Sequence, residues 1–295
     1  MRKFLFIPGL PRCATTSFVQ VLSQHPNIFL PKIKEPHFFL PNKERLFMFD
    51  RYGNHIPFEK CGFINTAKSF NENYNNFIDD KVFLDASTLY AVHPASIDEI
   101  HNQKNIDPYF IILKRHPFKR ALSHYLYSVS RAEEYREFET CLQDELNGKF
   151  PDWLLGGYIA GSEPYPCIER IIKHWGKERL IIGDLDADEI FNSAFTDKVL
   201  HLLQLQHFSF NYNIQSNSLV VPSNKLFSEI RILLKKIRQI NPLLIDNKIT
   251  RTVFNNFMQL APTDKTKISK YENDTNLKLF YMNAFQKFNY NKTLI

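Results

Sequence analysis

Apolar and polar positions along this chain fall into two alternating periods. Phe4, Leu5, Phe6 and Ile7 form a continuous apolar run, the signature of a buried strand. Gly9, between Pro8 and Pro11, makes a tight turn, and the period then changes. Phe18, Val21 and Leu22 recur at helical spacing, with Thr15, Thr16 and Ser17 crowding the helix start. The alternation returns further on. Val82, Phe83 and Leu84 predict a second strand, and Tyr109 to Leu113 a third. Phe118, Ala121, Leu122, Tyr125, Leu126 and Val129 then make one helical face, with Pro117 in the first turn, where its missing N–H costs little. Arg131 to Leu146 reads as a charged helix with a mostly solvated face, ended by Asn147-Gly148. Ile168, Ile171, Ile172 and Trp175 mark a further helix face, and Leu180 to Ile182 a further strand. From about Phe208 the alternation stops. Asn211 to Lys225 reads as a loop, followed by helices over 226–237 and 268–285.

Strands alternating with helices predict an α/β fold with a central parallel sheet flanked by helices. No repeat, low-complexity linker or composition break divides the chain, so residues 1–295 are read as a single domain. Two stretches escape the pattern. Pro26, Pro31 and Pro36 exclude regular helix from His25 to Phe39, which should run extended. Residues 40–80 are polar and aromatic without a clear period, consistent with a helix or two over a cleft.

The strand, turn and helix at the start carry the first chemistry. Unpaired amides at a helix start and the positive end of its dipole favour an anion, above all phosphate. A nucleoside-triphosphate loop would read GxxxxGK[ST]. In the window Gly9 to Thr16, Ala14 replaces the second Gly and Thr15 stands where the Lys should be, while the cation sits inside the loop at Arg12. The frame suits phosphate but lacks the apparatus for a metal-bound triphosphate. The plainer alternative is a strand–turn–helix core piece with no ligand.

Three further groups lie where a ligand edge is expected. Glu35 and His37 are two residues apart, so an extended backbone points both the same way, and beside Arg12 they would make an acid–base site. A solvated surface Glu is the alternative. Asp85, Ser87 and Tyr90 follow the second strand at the carboxyl edge of the sheet, where parallel sheets bind ligands. A cap for the next helix would explain them equally. Arg115 ends the third strand, and with Ser123 in the following helix it could hold a terminal phosphate, unless Arg115 only caps the sheet edge.

Composition adds little. The chain is 44% hydrophobic and 23% charged, ordinary for a globular protein, and its net charge of +6 suits an anionic ligand without choosing among nucleotide, acidic glycan and nucleic acid. No basic-aromatic module for nucleic acid is visible. No segment reaches the ~18 to 20 apolar residues of a membrane helix, and the first ten residues read as a strand, not a signal peptide, so a cytoplasmic location is expected. The four cysteines, Cys13, Cys61, Cys141 and Cys167, have no metal-ligand spacing and are expected as free thiols, with a Cys141–Cys167 bond as the alternative. No metal site is expected, and the sequence does not speak to oligomeric state.

These motifs together resemble the sulfotransferases that use 3′-phosphoadenosine 5′-phosphosulfate (PAPS). Arg12, Cys13, Ala14, Thr15, Thr16 and Ser17 look like the family's 5′-phosphosulfate loop, [KR]-x-[GA]-T-[TS], with Ala14 where Gly is usual. Glu35, His37, Phe38 and Phe39 fit its E-x-[HQ]-F-F stretch, whose Glu is the general base, and Lys34 precedes them as in many bacterial members. Asp85 and Ser87 match a frequent Glu/Asp-x-[ST] group. Arg115, Pro117, Arg120, Ser123 and Tyr125 match R-[NHD]-P-x-x-R-x-x-S-x-[YW] without a gap, and the family's Arg and Ser there bind the 3′-phosphate. Gly157, Tyr158 and Trp175 fit the family's G-x-Y…L-x-x-W layout as structural residues. The resemblance implies a P-loop-like three-layer sandwich, metal-independent sulfuryl transfer, and PAP, the 3′,5′-bisphosphate, as product. It implies catalytic roles for Glu35, Arg12 and His37, acceptor contacts from Lys34, His37, Phe39 and Ser87, and adenosine contacts from a late loop in which Ser223 and Lys225 are candidates. The acceptor hydroxyl or amine is expected on a carbohydrate or glycolipid, with Phe38 and Phe39 beside an open cleft. A P-loop-like kinase and a non-catalytic binder of anionic glycans or nucleotides stand as rival readings.

Overall fold

The computed structural model describes residues 1–42, 47–49, 55–58, 63–64, 66–74, 81–130, 134, 136–149, 156–214 and 265–292. In chain order the strands are β1 (Arg2–Gly9), β2 (Ile28–Phe29), β3 (Phe47–Phe49), β4 (His55–Pro57), β5 (Val82–Asp85), β6 (Ile106–Lys114) and β7 (Leu180–Asp184). The helices are α1 (Thr15–Leu22), α2 (Ala67–Asn73), α3 (Leu89–Val92), α4 (Ser96–His101), α5 (Pro117–Ser130), α6 (Phe138–Leu146), α7 (Tyr165–Trp175), α8 (Ser193–Leu202), α9 (Lys265–Asn273) and α10 (Thr275–Lys292).

The apolar run at the start becomes the middle of the sheet. Among the described residues the strand order is β2-β5-β1-β6-β7, all parallel, with β3 and β4 forming a separate antiparallel pair. In register, Phe4 lies opposite Phe83 on one side, and Leu5 opposite Tyr109 on the other. Phe4, Leu5, Phe6 and Ile7 are all fully buried, as expected for a strand covered on both faces, which cannot alternate apolar with polar. Phe18, Val19, Val21 and Leu22 of α1 pack on the same core, as do Ile168 and Ile171 of α7. A second apolar cluster joins α5 and α6 to α9 and α10 through Phe118, Tyr125, Phe138, Tyr271 and Tyr281.

One fully buried cation pins these layers together. Arg120 donates to Ser162 Oγ at 2.7 Å, to the Tyr158 carbonyl at 2.8 Å and to the Gly157 carbonyl at 3.2 Å. Tyr281 of α10 donates to the same Ser162 Oγ at 2.9 Å. A buried guanidinium is tolerable only when its donors are satisfied, and here neutral oxygens do that.

Three expectations need correction. Residues 131–146 are not one helix: Glu134, Arg136 and Glu137 lie outside it, and α6 begins at Phe138. Ion pairs explain the break, since Arg136 bonds Glu134 at 2.7 Å and Asp144 at 2.6 Å and so folds the segment back on α6. Ile172 does not share the buried face of α7 and is 44% exposed. The late helical region is two helices, α9 and α10, divided at Asp274, whose carboxylate accepts the Leu277 amide. The helix expected over 226–237 lies outside the described residues. Cys13, Cys141 and Cys167 are buried free thiols, so the alternative Cys141–Cys167 bond is absent.

Candidate active site

The loop between β1 and α1 sits at the carboxyl end of the central strand. Arg12 and Ala14 both take left-handed backbone angles, φ 71° and 59°. Such angles are uncommon outside glycine, and they turn the chain sharply into α1. Ala14 caps the helix without a side-chain bond, and no acidic residue stands in its first turn. The first amides of α1 thus lie open to an anion, with nothing negative on the helix to oppose it. Gly9 is required by contact. A Cβ there would stand 2.7 Å from Ala91 Cβ and 3.2 Å from the Thr88 carbonyl. Its absence lets the loop lie directly on the turn between β5 and α3.

The residues of this loop divide by direction. Thr16 is exposed, Ser17 half-buried and Thr15 buried. Cys13 is fully buried, and burial pushes its thiol up to about 12, so it offers the site only backbone. Arg12 crosses to α5: its Nε lies 3.4 Å from Ser123 Oγ, and its guanidinium lies 4.3 Å over the Tyr127 ring. Burial lowers the Arg12 pKa; the Tyr127 hydroxyl works the other way, and the charges of Arg115 and Arg120 add to the lowering. Three guanidiniums near enough to feel one another create a positive field at the loop. Arg115 Nε is buried and meets no acceptor among the described residues. Beside Arg115 and Ser123 opens a cavity of about 620 Å³, walled on one side by Phe118, Leu122 and Leu126 and on the other by Ile268 and Met282.

The Glu35 segment lies against the loop from the other side. Lys34 Nζ is 3.0 Å from Thr16 Oγ1 and 2.6 Å from Glu35 Oε1, so one ammonium touches both. The second carboxylate oxygen of Glu35 accepts from Thr88 Oγ1 at 3.0 Å and faces His37 Nε2 at 3.5 Å. Partial burial pushes the Glu35 pKa up, but the His37 bond and the Lys34 charge outweigh it and hold the carboxyl at about 2. The Glu35–His37 pairing expected of an extended segment is present, although His37 itself is left-handed at φ 51°. Burial lowers the His37 pKa against the pull of Glu35, and its Nδ1 is buried with no partner among the described residues.

A buried network behind the segment fixes it. Ser87 Oγ accepts the His37 amide at 2.9 Å, and Tyr90 Oη accepts the Phe39 amide at 3.2 Å. Both converge on Asp85, which accepts the Ser87 amide at 3.0 Å and the Tyr90 hydroxyl at 3.3 Å. Asp85 is fully buried, and burial pushes it up to about 7 despite these bonds. The capping alternative for this cluster does not hold, since neither Ser87 nor Thr88 makes a side-chain cap to α3.

Placement therefore sorts the candidates. Thr16, Lys34, Glu35 and His37 meet in one place, while Arg12, from the same loop as Thr16, reaches Ser123, which lines one cavity with Arg115. Ser87 is fully buried and faces the His37 amide, not an acceptor. Phe39 is 3% exposed and packs edge-on against Phe6 and Phe70 in the core, and Phe38 stacks on Phe70 at 4.5 Å. Ser223 and Lys225 lie outside the described residues. Two contributors went unread in the sequence. Tyr127 is one helical turn after Ser123, so spacing was the available signal for it, whereas Thr88, next to the named Ser87, reaches Glu35 by a tertiary contact that no spacing announces.

Among the described residues no cluster of His, Cys, Asp and Glu suits a metal ion, and no helix is long and apolar enough to cross a membrane.

No protein-family model matches this chain, and no curated protein matches it. Solved structures do. A sulfotransferase from Alicyclobacillus acidocaldarius overlays with a TM-score of 0.63 at 20% identity, covering 85% of this chain and 99% of that one. A sulfotransferase domain from the curacin biosynthetic pathway (TM-score 0.45, 13% identity, 70% of this chain and 76% of that one) overlays more loosely. So does one from the olefin synthase of Synechococcus PCC 7002 (TM-score 0.43, 13% identity, 97% and 94%). The first overlay carries the conclusion: the parallel five-stranded sheet and its flanking helices have the P-loop-like fold of a sulfotransferase.

Proposed function

We propose that this protein is a sulfotransferase that takes its sulfuryl group from PAPS and passes it to an acceptor hydroxyl or amine on a carbohydrate or glycolipid. The observation that carries the reading is Lys34, whose ammonium touches both the anion loop at Thr16 and the carboxylate of Glu35. A proton acceptor beside a phosphate cradle is what sulfuryl transfer asks of a protein.

The residues present fit a donor with phosphates at two ends. Arg12 and the amides around Ala14 to Thr16 suit the 5′ end, at a helix start free of acids. The unpartnered Arg115 Nε and the Ser123 hydroxyl suit the 3′-phosphate, and the adjoining cavity is within the size range of ligand sites. When bound, the donor supplies an activated sulfuryl group whose transfer leaves charge on its 5′-phosphate. Arg12 and the loop amides hold that charge, preorganised in a partly buried site. Glu35, ionised and a third exposed, takes the acceptor proton. His37 and Thr88 orient its carboxylate, and the buried Asp85 network fixes the backbone that carries it. Positioning and charge stabilisation do most of the work, as in phosphoryl transfer.

The sugar preference follows the resemblance and the exposed side of Glu35; Phe39 is packed in the core, and Phe38 is half-buried against Phe70. The test is transfer of label from sulfur-35 PAPS to a panel of sugars, glycolipids and phenols. Glu35→Gln should lose roughly 10²- to 10⁴-fold in turnover while still binding the bisphosphate product. Undiminished transfer by Glu35→Gln would remove Glu35 as the base.

A further inference from the structure

Held by the contacts it makes, Glu35 is a poor base. One oxygen is held by the Lys34 ammonium at 2.6 Å, and the other by Thr88 and His37. The groups facing it are Lys34 and His37 on its own segment, Thr88 from the turn after β5, and Asp85 beneath. Of these only Lys34 also reaches the anion loop, at Thr16. Its backbone is fixed, since its carbonyl accepts the Ala86 amide at 3.1 Å, whereas its side chain is long and 23% exposed. An ammonium is a flexible point charge that follows the stronger anion. A 5′-phosphosulfate, with one negative charge on the phosphate and one on the sulfuryl group, or a terminal 5′-phosphate, carries more charge than one carboxylate, and at the start of α1 it would sit on the positive end of the helix.

We propose that Lys34 is a switch between the loop and the base: with the loop empty it holds the Glu35 carboxylate, and an anion seated beside Thr16 draws it away, freeing Glu35 to accept a proton. The inference rests on the reading of the loop as the donor's 5′ site. It gives the protein an order of events. The acceptor is deprotonated only once the donor is in place. The same movement puts a cation on the transferred group at the moment the carboxylate is released.

The test is a carbon-13 NMR titration of glutamate carboxyls from about pH 3 to about pH 7, with Glu35 assigned by its loss in Glu35→Gln. The probe is adenosine 3′,5′-bisphosphate at saturation, with binding verified by calorimetry. The free protein should show no Glu35 titration in this range. The bisphosphate complex should show one, its midpoint raised by about one unit or more, a tenfold change in proton affinity. In Lys34→Met the midpoint should already be raised without ligand and should move less on binding; Lys34→Gln repeats the test with a polar side chain. A wild-type midpoint that the bound bisphosphate leaves unmoved would overturn the switch while leaving the donor reading intact. An equal rise in wild type and Lys34→Met would overturn it too, because the ligand's own charge would then account for the effect. Failure of the bisphosphate to bind at all would overturn the donor reading, and the switch with it.

Discussion

Arg12 Nε and Ser123 Oγ lie 3.4 Å apart although 111 residues separate them in the chain. This contact joins the loop at the end of β1 to the helix after β6, and in the proposed reading the two hold opposite ends of one donor. Each residue should therefore fail at a different end of it. Arg12→Ala should weaken adenosine 3′,5′-bisphosphate by roughly 10- to 100-fold, the loss of one charge-assisted bond to a phosphate, and should leave adenosine 3′-phosphate nearly unaffected. Ser123→Ala should weaken both ligands. Calorimetry with the two nucleotides checks this, and an equal loss for both in Arg12→Ala would contradict the assignment of Arg12 to the 5′ end.

Asp85 sets a pH dependence of its own. Its folded carboxyl is raised to about 7 from an ordinary 3.8, chiefly by burial. Between these values the unfolded chain has given up a proton that the folded one keeps. Its contribution to stability is therefore full below about pH 4 and is lost as pH rises through about 7. Asp85→Asn should flatten the slope of unfolding free energy across that range. Urea melts at stepped pH check it, and an unchanged slope would show that Asp85 is ionised throughout.

Gly9 should not tolerate a side chain. The added Cβ of Gly9→Ala would meet Ala91 Cβ at 2.7 Å, and the loop and the turn carrying Thr88 would have to part. Overpacking of this kind costs about 1 to 3 kcal/mol. A lower Tm is expected, with a larger loss of transfer activity than the stability loss accounts for, because Thr88 holds Glu35. A Tm and an activity equal to wild type would mean the loop has room to shift.

Arg120 is a structural counterpart to Arg12. Arg120→Met would remove one donor each from the Gly157 and Tyr158 carbonyls and from Ser162, which keep the Gly161 amide, the Ser162 hydroxyl and the Tyr281 hydroxyl as their other donors. Each of the three lost hydrogen bonds is worth roughly 0.5 to 1.5 kcal/mol, and the cavity left by the guanidinium adds to them. Denaturant melts should show a loss of several kcal/mol, and a loss below about 1 kcal/mol would show that Arg120 is dispensable for α5 packing.

How far the sequence could be read follows from the kind of signal each feature leaves. The sheet was legible because a strand buried on both faces has no choice but a run such as Phe4 to Ile7, and because Phe18, Val21 and Leu22 then keep a helical period. The approach of the loop to Ser123 through Arg12, and to Glu35 through Thr16 and Lys34, was legible only through motif resemblance, since nothing local in a chain says that its parts will meet. What stayed hidden is direction. Cys13, Ser87 and Phe39 stand in motif positions, yet the first is buried under the loop, the second bonds a backbone amide and the third fills the core. Thr88 reaches Glu35 across 53 residues by a tertiary contact with no sequence signature. The break before α6 is set by Arg136 pairing with Glu134 and Asp144, which helical propensity does not register.

In the proposed reading the β1–α1 loop and the Arg115–Ser123 corner hold one nucleotide with phosphates at both ends. Thermal unfolding with adenosine 3′,5′-bisphosphate, against ADP with and without magnesium, tests it most directly. At ~100 times its dissociation constant the bisphosphate should add roughly 2.7 kcal/mol, a clear rise in Tm that Arg115→Ala abolishes, while ADP adds little in either condition. No rise with the bisphosphate, together with a rise that needs magnesium and ADP, would contradict the sulfotransferase reading and place the site with nucleoside-triphosphate enzymes.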